Sequence, residues 1–140
     1  MQLFEQLVQP ALQYGTPPKV LIIEEDSLSR QHLLNLTLNL KCNPIELANP
    51  RLGADMAQRY QPNLILSSLV FRNFNSLELL SQLRCTPVLS NIPLIAVTSL
   101  APEEYEVYWE LGVNGFLAKP ITLQMLSEEL HSQLARYRNS

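Results

Sequence analysis

Three acids follow one another at the end of a short apolar run: Lys19-Val20-Leu21-Ile22-Ile23 gives way to Glu24-Glu25-Asp26. Further along, a second apolar run ends in Ser67-Ser68, a third in Thr98-Ser99, and a fourth in Lys119-Pro120. A carboxylate pair such as Glu24 and Glu25 can hold a hard divalent cation through oxygen or pair with an ammonium. Ser68 is a weak nucleophile unless a base activates it. Of thirteen acidic residues only Asp26 and Asp55 are aspartates, which narrows the carboxylate chemistry on offer.

These residues can act together only if the runs carrying them lie side by side. Short continuous apolar runs, here of three or four residues, bounded by polar ones suit strands buried on both faces, as in parallel sheets. After Asp26, Ser27 is placed to cap a helix to about Leu40, with Leu28, Leu33, Leu34 and Leu36 as apolar surface. Ile45–Ala48 is a weakly marked strand, and Asn49-Pro50 opens a helix over roughly Arg51 to Tyr60. Leu64–Val70 is the next strand. Ser76 then caps a helix carrying Leu77, Leu79, Leu80 and Leu83. Leu94–Thr98 is a strand again. Pro102 with Glu103 and Glu104 opens a helix that reaches Leu111 and stops at Gly112. Phe116–Ala118 is a short strand, and Thr122 caps a last helix striped by Leu123, Leu126, Leu130 and Leu134.

Five strand-then-helix units in alternation predict an α/β fold, a parallel sheet covered by helices on both faces. Right-handed crossovers make that a three-layer α/β/α sandwich. The strand C-termini then meet on one edge, where open α/β sheets place their sites, bringing together Glu24, Glu25, Ser68, Thr98 and Lys119. Lys119 is expected within salt-bridge reach of Glu24 or Glu25.

The 140 residues suffice for one domain with a single core. Hydrophobic content of 46% and charged content of 16% describe a globular chain. A net charge of −3 without a basic cluster excludes an electrostatic footprint for nucleic acid. No apolar run approaches the ~18 residues of a membrane span and no signal peptide is visible, so the cytoplasm is the default location. Cys42 and Cys85 lack metal or disulfide spacing and read as buried free thiols.

Taken in order, the quoted stretches resemble the receiver domain of two-component response regulators. Lys19–Asp26 looks like the first strand with its acids, Pro62–Leu69 the third, Ile92–Ser99 the fourth with its hydroxyl, and Gly115–Pro120 the fifth with its Lys-Pro. The resemblance covers about residues 19–135, set within a receiver-like domain of 19–140, and implies a flavodoxin-like sheet of strand order 2-1-3-4-5. It also implies an acceptor Asp on the third strand, Mg²⁺ held by acids, a phosphate-pairing Lys119, a sensing hydroxyl at Thr98 and an aromatic follower at Phe116.

The chain departs from that pattern where the acceptor belongs: the position is Ser68. Glu24 and Glu25 are each a methylene longer than aspartate, and Mg²⁺ demands near-ideal octahedral geometry. The expectation is therefore a pseudo-receiver, not an enzyme, without cofactor or metal, its acidic pocket degenerate. It would signal by docking to a protein partner, whether a kinase, a regulator or a second copy. A rival is an active phosphoacceptor using Ser68 or a histidine; another is an architectural dimer. Two surfaces are candidates for docking. Tyr105, Tyr108 and Trp109 recur at helical spacing among four glutamates, as core or as an interface. Ahead of the first strand, Leu3, Phe4, Leu7, Val8, Ala11 and Leu12 predict an amphipathic helix in residues 1–18, interrupted at Pro10 and joined by Thr16-Pro17-Pro18. It would dock on its own domain, on a partner, or on a second copy as a dimer helix.

Overall fold

A computed structural model describes residues 16–138. The expected N-terminal helix, with Leu3, Phe4, Leu7 and Val8, lies outside the described residues. β1 (Lys19–Ile23) leads into α1 (Ser27–Asn39), β2 (Asn43–Leu47), a 3₁₀ turn (Pro50–Leu52) and α2 (Gly53–Tyr60). β3 (Leu64–Ser68), α3 (Ser76–Cys85) and β4 (Leu94–Thr98) follow. A second 3₁₀ turn (Pro102–Glu104), α4 (Glu106–Glu110), β5 (Gly115–Ala118) and α5 (Leu123–Arg138) complete the order.

All pairings are parallel, in the order β2-β1-β3-β4-β5. β1 sits between two neighbours, and Val20 to Ile23 are all fully buried. Alternation along the pleat sends Val20 and Ile22 to one core, with Leu33 and Leu36 of α1 and Leu126 and Leu130 of α5. Leu21 and Ile23 enter the other, with Ala57 of α2 and Leu79, Leu80 and Leu83 of α3. Two helical layers therefore enclose one sheet, and the strand reads as unbroken hydrophobicity because both of its faces are dry. Each such aliphatic side chain contributes about 1.5–3 kcal/mol of transfer free energy, before ordering entropy is subtracted.

Several local expectations are corrected. Asp26, not Ser27, is the N-cap of α1: its Oδ2 accepts the Ser29 N–H at 2.8 Å. Asn75, not Ser76, caps α3, accepting the Leu77 N–H at 2.9 Å. β2 begins two residues earlier than expected and β3 ends at Ser68. The helix expected over 102–111 is broken. Glu104 N–H and Tyr105 N–H donate to Ala101 O and Pro102 O in 3₁₀ fashion, and α4 has only five residues. Tyr105 lies at the junction of the two pieces, its ring flat on Phe116 of β5.

Arg84, near the end of α3, fastens this half of the sheet. Its guanidinium donates to the carbonyls of Leu89, Ser90, Ile92 and Gly112 and to Asn114 Oδ1, at 2.8–3.4 Å. Asn114 Oδ1 also accepts the Leu94 N–H at 2.8 Å, fixing the start of β4 against the start of β5. Burial lowers the Arg84 pKa from its usual value, yet a guanidinium remains charged throughout the physiological range.

Candidate functional site

The C-terminal edge of the sheet opens as a cleft of about 950 Å³, its walls including Glu24, Glu25, Ser68, Thr98 and Lys119. All five residues singled out at the strand ends are therefore brought together. Parallel strands of matched length do this: Ile23 pairs with Ser67, Ser68 with Val97, and Thr98 with Ala118, so the chain leaves each strand at one level.

Glu24 is 3% exposed, an unusual place for a carboxylate. It is compensated from both sides. Lys119 Nζ donates to Oε1 at 2.8 Å, and the Asp26 N–H donates to Oε2 at 3.3 Å. Glu25 is half-buried, and its Oε1 accepts the Arg72 N–H at 2.8 Å, which ties the loop after β3 to the end of β1. Arg30, one turn into α1, donates through Nη1 to the carbonyls of Glu24 and Glu25 at 2.9 and 3.1 Å. Its Nε lies 3.6 Å from Glu46. Asp26 also lines the cleft, but its carboxylate caps α1, and hydrogen bonds from Ser29 hold it below the usual aspartate value.

The hydroxyls face local backbone. Ser68 is buried, and its Oγ donates toward Val70 O at 3.5 Å. Ser67 Oγ donates to Ser68 O at 2.8 Å. Thr98 is buried, and its Oγ1 accepts the Leu100 N–H at 3.1 Å, while its carbonyl accepts the Lys119 N–H at 2.9 Å. The Lys119–Pro120 bond is cis.

The donor set does not fit a Mg²⁺ ion. Glu24 is engaged by an ammonium, Glu25 by a backbone N–H, and Asp26 by its helix. Ser68 offers a neutral hydroxyl where a third hard, charged oxygen would be wanted. Among the described residues no group of three His, Cys, Asp or Glu side chains is arranged to hold a metal.

The aromatic residues divide between two roles. Tyr105 stacks on Phe116 with centroids 3.9 Å apart and planes within 5°, and Trp109 meets the same ring edge-on at 4.8 Å. Tyr108 turns inward and packs against the core under α3. The three are thus not one stripe: the i and i+4 residues clasp Phe116, and the i+3 residue anchors the helix. Cys42 is buried, which pushes its thiol up to about 11 and makes it inert; Cys85, expected to be buried as well, is exposed, since it closes α3 at the surface.

The sequence did not reveal Arg30 or Arg72 as parts of the cleft. Arg30 carried one signal, a position one turn beyond the acids. The Arg72 contribution is a backbone N–H and leaves no trace in residue type.

Comparison with known proteins resolves the family. The model of the response regulator receiver domain matches residues 20–131. The chain belongs to the response regulator receiver domain family. This receiver domain is 28% identical over 119 residues to the polar-differentiation response regulator DivK of Brucella anthropi, covering 84% of this chain and 97% of that protein. It is 27% identical over 114 residues to the chemotaxis protein CheY-3 of Vibrio cholerae, covering 80% of this chain and 88% of its relative. Among solved structures, the chemotaxis response regulator CheY4 of Vibrio cholerae superposes with a TM-score of 0.78 at 21% identity, over 84% of this chain and 99% of that one. The receiver domain of a sensor histidine kinase from Pseudomonas aeruginosa superposes with a TM-score of 0.75 at 20% identity, over 89% and 100%; its active-site cleft holds a coordinated magnesium ion. The expected flavodoxin-like fold and strand order are those observed, and the chain is a receiver domain of the two-component type. Among the described residues no helix is long and apolar enough to cross a membrane.

Proposed function

We propose that this receiver domain is a pseudo-receiver, a module of a two-component-type pathway that acts by protein–protein contact without aspartyl phosphorylation and without enzymatic activity of its own. One observation carries the proposal: the tip of β3 bears Ser68, whose hydroxyl turns to a backbone carbonyl, not to a base. A serine so placed is not activated to attack phosphorus. Lys119, the cation that the family resemblance assigns to phosphoryl oxygens, is already paired with Glu24. His32 bonds to Ile121 O from α1, and His131 lies on α5. The names of the relatives, a polar-differentiation regulator and a chemotaxis protein, support a pathway of this type; Tyr105 and Trp109 are its partner surface, anchored by Tyr108, which packs against the core.

The test is intact-mass spectrometry after incubation with acetyl phosphate and Mg²⁺. The wild-type mass stays unchanged. Ser68→Asp restores a charged oxygen and tightens Mg²⁺ binding, although the longer glutamates limit the gain. A stable, stoichiometric phosphoryl adduct on the wild-type chain, mapped to the cleft, would falsify the proposal in favour of an active phosphoacceptor.

A further inference from the structure

We propose that the α4–β5 face is a docking surface for a cationic, arginine-bearing segment of a partner protein; this rests on the reading that output is delivered by docking. α4 buries none of its residues completely, and Trp109 and Val107 are 51% and 46% exposed. Trp109 is nonetheless ordered by its edge contact with Phe116, itself stacked under Tyr105. An exposed ring already held in place loses little freedom when a ligand covers it.

The chemistry around that ring selects the occupant. Glu103, Glu104, Glu106 and Glu110 are all exposed, and residues 99–118 contain no Lys, Arg or His. The two ion pairs among the described residues, Arg30–Glu46 and Lys119–Glu24, involve none of the four. Glu104 accepts the Ala101 N–H at 3.0 Å, which leaves its charge in place. Without these four acids, ten basic residues would face nine acidic ones and the formal charge of −3 would become +1. Residues 99–118 thus carry four acids and no base, a local net charge of −4.

Exposed carboxylates close in sequence to an exposed indole suit a guanidinium better than any other side chain. The plane stacks on the ring by cation–π attraction, and its edge donates charge-assisted, bidentate hydrogen bonds to the carboxylates. The chain's own N-terminal stretch does not qualify as the occupant. Residues 1–18 contain no Lys or Arg, and Glu5 is their one acid.

Trp109 is the sole tryptophan, so its emission reports on this face alone. The probe is a short synthetic peptide alternating arginine and leucine, titrated beside the same pattern with glutamate in place of arginine. The arginine peptide changes Trp109 emission saturably, and the glutamate peptide does not. Affinity for the arginine peptide falls roughly tenfold in the Glu103→Gln, Glu106→Gln, Glu110→Gln triple variant, and falls again with added salt. Because those side chains are exposed, the triple variant keeps the wild-type circular dichroism and melting temperature. Glu78→Gln with Glu128→Gln, exposed on α3 and α5, leaves the affinity unchanged.

Equal affinity in the triple variant, an equal loss in the Glu78/Glu128 control, or no saturable change up to about 1 mM peptide would overturn the proposal. So would light scattering that shows a dimer of the wild type dissolving in the triple variant, which would assign the face to a second copy. Mass spectrometry on the same samples separates the two proposals. A phosphoryl adduct defeats the pseudo-receiver while leaving the peptide result standing, and a failed titration with a clean mass defeats only the cationic partner.

Discussion

The cleft at the strand ends and the α4–β5 face each gather glutamates, and they treat them oppositely. In the cleft, Glu24 and Glu25 are satisfied from within by Lys119, the Asp26 N–H and the Arg72 N–H. On the α4–β5 face, Glu103, Glu106 and Glu110 stand in solvent around an ordered aromatic cluster. A charge satisfied internally is a structural part, whereas a field left open is available to something outside. The cleft is the first kind of region, and the α4–β5 face is the second.

The largest expected effect comes from breaking the cleft. Lys119→Met leaves Glu24 buried without its cation and lowers unfolding free energy by about 2–3 kcal/mol. That figure is discounted from the ~3–5 expected of a fully dry pair, because the Lys119 side chain is 29% exposed. Chemical denaturation measures it, and adding Glu24→Gln recovers part of the loss. Trp109 emission stays at its wild-type maximum; a shift would show that the two regions are coupled and weaken the contrast drawn between them.

Phe116→Ala is the converse and smaller change. It removes the ring between Tyr105 and Trp109, each contact contributing about 0.5–1.5 kcal/mol, for a total of about 1–3 kcal/mol with the half-buried area included. Trp109 emission shifts to the red as its packing partner is lost. The Lys119–Glu24 pair persists, which a double-mutant cycle with Lys119→Met reads as additivity within ~0.5 kcal/mol.

The smallest effect belongs to Asp26. Its carboxyl is lowered from 3.8 by bonds it makes only when folded, so the folded state favours the charged form. The unfolded chain then binds the proton more readily, and the stabilisation is present above pH 3.8 and disappears as pH falls through the lowered value. Asp26→Asn keeps a capping oxygen but flattens the thermal stability profile across this acid window. An unchanged profile would mean that the cap contributes through geometry alone.

Much of the fold was legible because its strands are dry on both faces. Val20–Ile23, Leu64–Leu66 and Leu94–Val97 are each essentially inaccessible, so hydrophobicity has no polar interruption and the strand ends stand out by contrast. Glu24, Glu25, Ser68 and Thr98 followed from that, whereas Lys119 followed from the alternation of strand and helix, because β5 is only partly buried. Legibility failed where backbone, not side-chain type, makes the bond. Arg72 contributes through its amide, and Arg30 and Arg84 act on carbonyls, which belong to every residue. It failed again at α4, where local propensity favours a continuous helix over 102–111 and the chain instead forms a 3₁₀ turn followed by a five-residue helix. Competition between neighbouring caps, Asp26 against Ser27, depends on backbone angles that residue identity leaves open.

The Arg84 clamp bears on how this chain can change over generations. Four of its five partners are main-chain oxygens, at Leu89, Ser90, Ile92 and Gly112. Side chains at 89, 90 and 92 can therefore be exchanged without removing a single acceptor. The specificity of the junction is held by a few positions. Arg84 supplies the donors, and Gly112 sits at φ +96°, where an added Cβ would lie 2.7 Å from Arg84 Nε. Asn114 divides one oxygen between the clamp and β4. Leu89 and Ile92 are constrained only to stay apolar, as core residues, whereas the clamp does not survive a substitution at Arg84 or Gly112.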